Sequence, residues 1–284
     1  MAGMGSRVTS PDTELIGEKS RRSEEIAEAI TLRIAAALFA WLLFPLPSAH
    51  AAVCDPKRLQ GAYGLLLTGN TTIGGPARPV AVVGRLTFDD SGSVNGIVSA
   101  SFTGLILGNP VTGKYDTHAD CLVTWSLQDD SGGFQHFTGT MSADGGRVGF
   151  RQTDPGGAPS GILLRTMDQC SESTLAGNFH LTGSGSRVDI NTAVESARVS
   201  FSHVMIADGA GGLLYDAGPG EPVLSAGTYD VQDDCFAEFG LELAEEGSEK
   251  ATRHFRVILV EKGRALGIQT DPGMIVALQL IGAN

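Results

Sequence analysis

From residue 52 onward the chain alternates between apolar and polar positions. Val123, Trp125 and Leu127 share one parity, while Leu122, Thr124, Ser126 and Gln128 hold the other. Further on, Ala237, Phe239, Leu241 and Leu243 stand against Phe236, Glu238, Gly240 and Glu242. Val80, Val82, Gly84, Leu86 and Phe88 likewise share a face opposite Arg85 and Thr87. Successive side chains on a strand point to opposite faces, so this period of two predicts half-buried antiparallel strands. In the first half the strand segments are GAYGLLLTG, VAVVGRLTF, VNGIVSASF, VTGKYDT, CLVTWSLQ, FQHFTGTMS, VGFRQT and ILLRTM, with DDSGS, DDSGG and ADGGR as turns. Eight short strands punctuated by Gly, Asp and Ser are the all-β spacing signal. The 38 glycines suit it, because tight turns need positive φ somewhere. No helical period is sustained in this part. The weak candidate LELAEEGSEKATR (241–253) is interrupted by Gly247.

The pattern is written twice. GKYDTHADC at 113–121 returns as GTYDVQDDC at 227–235, LQGAY (59–63) as LAGNF (175–179), and His136-Phe137 as His254-Phe255. QTDPG occurs verbatim at 152–156 and 269–273, and RLTFDDSG (85–92) has a faint echo in HVMIADGA (203–210). Landmarks repeated in one order at a near-constant offset mark a duplicated unit. The expected organisation is a leader over 1–51, a first unit over 52–168 and a second over 169–284. The expected fold is all-β, two tandem antiparallel β-barrels of about eight strands each. Eight strands close around side chains or one small ligand and leave no exposed edge; a β-sandwich is the alternative.

The first 51 residues break the alternation. IAAALFAWLLFPLP (34–47) is almost wholly apolar, Arg33 precedes it and Ala49-His50-Ala51 follows. A basic flank, a short apolar core and an A-x-A site read as a secretory signal peptide cleaved after Ala51. Pro45 and Pro47 end the run short of the roughly 20 residues that a membrane anchor needs. Without 1–51 the chain keeps 15 Lys/Arg and 26 Asp/Glu, a formal net charge of −11. Such a chain is repelled by phosphate backbones and anionic lipid, which excludes nucleic acid as a partner and argues against stable membrane insertion after cleavage.

Export changes the reading of the cysteines. Cys54, Cys121, Cys170 and Cys235 all lie past the leader, and four allow three pairings. If each copy folds as a unit, the bridges are Cys54–Cys121 and Cys170–Cys235. Each closes a loop of roughly 65 residues, a stabilisation of about 4 kcal/mol on the chain-entropy model. A metal site would need C-x-x-C or histidine at ligand spacing, and neither occurs.

The order G-x-Y, R-L-T-F-D-x-x-G, G-x-Y-D-x-x-x-D-C, Q-T-D-P-G resembles a family of exported bacterial all-β repeat proteins. The resemblance covers both copies, with the R-L-T-F-D segment poorly kept in the second. It implies export and a β repeat, and it transfers no catalytic residue. Strand count alone gives a looser likeness to calycin and allene-oxide-cyclase barrels.

Candidate chemistry is sparse. His136 and His254 occupy equivalent positions, but each shares parity with polar neighbours and is expected to point outward. QTDPG reads as a turn in which proline ends the strand and the aspartate accepts from the amide two residues on. YDTHAD and YDVQDD invite calcium, yet the D-x-[DN]-x-[DN]-G pattern is absent. G-x-S-x-G, Walker A and H-E-x-x-H are missing, so no catalytic residue, metal or cofactor is expected. The aromatic positions Tyr115, Trp125, Tyr229 and Phe239 are the candidates for lining a ligand cavity. The function these features suggest is an exported binding protein holding a small apolar molecule inside a barrel. The alternatives are a structural or adhesion module without ligand, and a barrel isomerase or cyclase acting by confinement.

Overall fold

A computed structural model describes residues 54–72, 75–216, 224–243, 251–261 and 263–283. The leader and its cleavage site lie outside them, as do 244–250 of the weak helix candidate; its flanks, 241–243 and 251–253, are strand. The first half forms β1 (Gly61–Thr71), β2 (Arg78–Phe88), β3 (Ser93–Ser101), β4 (Ile106–Thr117), β5 (Leu122–Asp129), β6 (Phe134–Met141), β7 (Arg147–Gln152) and β8 (Ser160–Arg165). The second forms β9 (Gly177–Val188), β10 (Glu195–Ala207), β11 (Gly212–Asp216), β12 (Leu224–Val231), β13 (Phe236–Leu243), β14 (Ala251–Val260), β15 (Arg264–Gln269) and β16 (Met274–Gly282). Each set pairs antiparallel in sequence order and closes on itself, β1 against β8 and β9 against β16. The architecture is therefore two closed eight-stranded barrels and not a sandwich.

One end of each barrel is stoppered. A short 3-10 helix over Pro56–Leu59 leads into β1, and another over Glu172–Leu175 leads into β9. Leu59 and Leu175 are buried beneath them. Beside each helix a disulfide ties the incoming chain to the start of a strand: Cys54 to Cys121 before β5, Cys170 to Cys235 before β13. Their Cα–Cα distances are 5.1 and 4.8 Å, normal for a bridge. Cys121 and Cys235 both stand at positive φ, 70° and 69°. That region disfavours a side chain. Tight turns hold them there, with Cys121 N donating to His118 O and Cys235 N to Gln232 O. Two disulfides suit an oxidising compartment. Among the described residues no helix is long and apolar enough to cross a membrane.

The alternation survives where one face meets solvent. Val123, Trp125 and Leu127 point inward and are buried, while Leu122 is exposed. It fails on β1, where Ala62 through Leu67 are all buried. The outward residues Leu66, Ala81, Val83 and Leu164 of the first barrel join a core cluster with Ile258, Val260 and Ile275 of the second. Hydrogen bonds cross the junction from Glu261 N to Arg165 O (2.9 Å), from Thr166 Oγ1 to Leu259 O (2.7 Å) and from Gly273 N to Gly104 O (2.8 Å).

The structure also shifts the RLTFDDSG comparison by one residue. Asp89 accepts from the amides of Ser91 and Ser93, and Asp208 from those of Ala210 and Gly212, so these two aspartates match. RLTFDDSG therefore corresponds to VMIADGAG (204–211), not HVMIADGA. A one-residue slip reverses every face. In that register Val199, Phe201, His203, Met205 and Ala207 point inward, while Val204 and Ile206 stay exposed. The mixed look of RVSFSHVMI has this source.

Candidate functional site

The end of the first barrel away from the disulfide holds a cavity of about 470 Å³. Leu65, Val82, Val98, Ala100, Leu127 and Phe137 form its apolar wall. Thr71, Arg78, Asn109, Asp129, Ser131 and Gln135 ring its mouth, where strands end and turns begin. The Arg78 guanidinium lies over the Phe102 ring, 5.4 Å from its centroid, so its apolar stem and planar head close one side. A chamber of this size with an apolar body and a polar rim fits one small, largely apolar molecule.

The four aromatic candidates lie elsewhere. Trp125 sits one layer below the cavity, stacked on Phe137 at 5.3 Å and edge-on to Phe150 at 5.0 Å. Its indole nitrogen is buried without a hydrogen-bond partner. Tyr115 is at the stoppered end, packed edge-on against Phe88 (5.1 Å), its hydroxyl donating to the carbonyl of Asp89. Tyr229 and Phe239 occupy the matching part of the second barrel, 6.2 Å apart and buried, with the Tyr229 hydroxyl donating to Glu172 O. None of the four lines the cavity. Together with Tyr63, Trp125 and its neighbours make the barrel floor. The Tyr63 hydroxyl donates to Gly145 O (2.6 Å) and accepts from Arg165 Nη2 (2.7 Å); burial pushes its pKa up to about 12.

The histidines do point outward, with side chains 58% and 59% exposed, but each has a partner that the sequence did not reveal. His136 Nδ1 lies 2.7 Å from Asp154 Oδ1, and His136 N donates to Asp154 Oδ2 at 2.8 Å. Gln152 Nε2 donates to the same Oδ2 at 3.0 Å. His254, Asp271 and Gln269 repeat these contacts at 3.0, 3.0 and 2.8 Å. The expectation that the QTDPG aspartate caps an amide two residues on is therefore corrected. The turn is closed by the backbone, Gly157 N donating to Asp154 O, and the carboxylate reaches across to the neighbouring strand. The β6–β7 ladder runs only from Phe137–Gln152 onward, which would leave His136 N without a ladder partner. The carboxylate supplies one. Burial alone would raise the Asp154 pKa, but the bonds from the His136 amide and ring and from Gln152 outweigh it and hold the group below its ordinary value.

The second barrel is filled differently at this level. In barrel 1 the pair Leu67–Val82 faces inward; the matching pair in barrel 2 is Gly183–Phe201. A Cβ on Gly183 would lie 2.2 Å from the Phe201 ring, which therefore occupies that space. His203 and Tyr215 stand where barrel 1 has Gly84 and Gly96, both buried, with His203 Nδ1 2.7 Å from Asp216 O. Among the described residues no group of three His, Cys, Asp or Glu could hold a metal ion. In comparisons with protein-family models, curated proteins and solved structures, nothing matches this chain.

Proposed function

We propose that this chain is an exported binding protein that holds one small apolar molecule in the cavity of its first barrel. The observation that supports this reading is the chamber itself: about 470 Å³ of apolar-walled space opening at the end opposite the disulfide. Small-molecule sites are typically concave, mostly apolar and a few hundred Å³ in volume, with a small number of polar groups, and this chamber has each of those features. The leader expected over 1–51, the two bridges and the resemblance to exported bacterial repeat proteins support a site of action outside the cytoplasm, in the periplasm or beyond. On the same reading the two barrels descend from one duplicated unit, and the second, with Phe201, His203 and Tyr215 in its interior, serves as a structural partner.

Native mass spectrometry of protein purified from its own host, beside the variant Ala100→Trp, tests the proposal. Ala100 lines the wall, and an indole there fills much of the chamber. The expected result is a small-molecule adduct on the wild type that Ala100→Trp loses while keeping its fold by circular dichroism. An empty wild type that also gains no thermal stability from medium-chain apolar probes refutes the reading.

A further inference from the structure

We infer that Gln152 is the polar anchor of this cavity and that it selects apolar ligands carrying a hydrogen-bond donor, a hydroxyl or an N–H, over isomers that can only accept. This deepens the binding function proposed above and rests on it.

Gln152 is the most buried polar residue of the lining, 7% exposed, whereas the polar residues of the rim are half-buried or exposed. Its amide has a donor end and an acceptor end, and Asp154 decides which way they face. The Asp154 carboxylate takes His136 N, His136 Nδ1 and Gln152 Nε2. An ionised carboxylate only accepts hydrogen bonds, so it can be met by the amide NH₂ and not by the amide oxygen. Turning the amide over would set two acceptors face to face. The NH₂ is thus committed, and Oε1 remains: it takes no hydrogen bond from the described residues and is not among their fully enclosed unpaired atoms, so it is open to water or a ligand. Gly157 packs closely against this amide: a Cβ there would fall 2.8 Å from both Cδ and Oε1, so a side chain would push Gln152 out of place.

Leu67, Phe137 and Pro159 share the cavity lining with Gln152, Phe137 as its cross-strand partner and Pro159 through its carbonyl, which accepts from Gln152 N. A ligand that covers this acceptor without pairing with it strips it of water at a cost, so a ligand donor that pairs with it is strongly preferred. Sites built to pair with a polar group on the ligand discriminate far better than apolar walls do. Asp154 and His136 act here as positioning residues: they do not touch the ligand but fix which atom of Gln152 does.

The test uses the full chain and an isomeric pair, 1-nonanol and methyl octyl ether, titrated calorimetrically. What is read is the ratio of their dissociation constants, compared across variants so that the intrinsic hydration difference cancels. The ratio should favour the alcohol in the wild type and shift toward the ether by tenfold or more in Gln152→Leu. Asp154→Asn, which lets the amide turn over, should shift the ratio the same way while nonanol still binds. Gln269→Leu, in the other barrel, should leave it unchanged. If both probes bind and the ratio is the same in wild type and Gln152→Leu, the anchor is wrong and the cavity reading stands. Should Gln152→Leu not fold, Asp154→Asn decides by the same criterion. If neither probe binds the wild type, the anchor falls together with the binding function.

Discussion

Three hydrogen bonds converge on the Asp154 carboxylate, and they make this side chain a stronger acid in the folded protein than in the unfolded chain. The sign of the linkage follows. A depressed folded pKa contributes stability that is fully present above the unfolded carboxylate value of about 4 and disappears as pH falls through the lower folded value. Thermal melts of the wild type should therefore drop more steeply than those of Asp154→Asn as the pH falls below about 4, the unfolded carboxylate value. Equal slopes would mean that the carboxylate holds no such bonds in solution. The participants were all visible in the sequence, His136 as a repeated histidine and Gln152 and Asp154 inside a repeated QTDPG. Their meeting was not. Asp154 is 18 positions from His136, and only the β6–β7 register brings them together. Side-chain parity could say that His136 faces outward; it could not say what stands beside it.

At the scale of elements, strand number and inward faces were legible because turn residues and period-two alternation are local signals. The eight segments of the first half correspond to β1–β8, with β4 longer than VTGKYDT because Ile106–Pro110 pairs with β3. The disulfide pairing was legible for another reason: halves that each fold as a unit each carry their own bridge, as they do. Cys54 and Cys121 lie 67 positions apart, and on the chain-entropy model their bridge stabilises by about 4 kcal/mol. Replacing both with alanine should cost about 2–4 kcal/mol in urea unfolding, the usual range for a native bridge. The loss should fall on the stoppered end, where Leu59 and the adjoining turn depend on that tie. A loss below about 0.5 kcal/mol, the scale of a surface substitution, would show that the bridge does not constrain the chain. A ligand cavity was expected, but which barrel holds it and which residues line it escaped sequence reading, because a cavity is a difference in side-chain volume. Val82 against Phe201 and Leu67 against Gly183 look equally apolar in a pattern, yet only the pair with the large ring fills its barrel.

The whole molecule depends on outward faces that alternation would assign to solvent. Leu66, Ala81 and Val83 on one barrel meet Ile258, Val260 and Ile275 on the other. The matching outward positions of the second barrel, Thr182, Ser200 and Ser202, are polar and exposed. The position matching Ile258 in the first barrel is Thr140, likewise polar and exposed. The junction is heterologous, and an interface of that kind repeated on both copies would propagate into a filament. With one apolar half on each barrel it forms once and stops. Gly64 measures how tightly. A Cβ at Gly64 would lie 2.6 Å from Val260 Cγ1 and 2.9 Å from Ile258 Cγ2. Gly64→Ala should therefore destabilise by about 1–3 kcal/mol through overpacking. Val260→Ala removes the nearer methyl, so the double variant should lose less than the sum of the two single losses. Independent sites add to within about 0.5 kcal/mol, so a coupling beyond that in urea unfolding of the four proteins places the barrels in contact in solution. Additivity would instead describe two modules that share a chain and not a core.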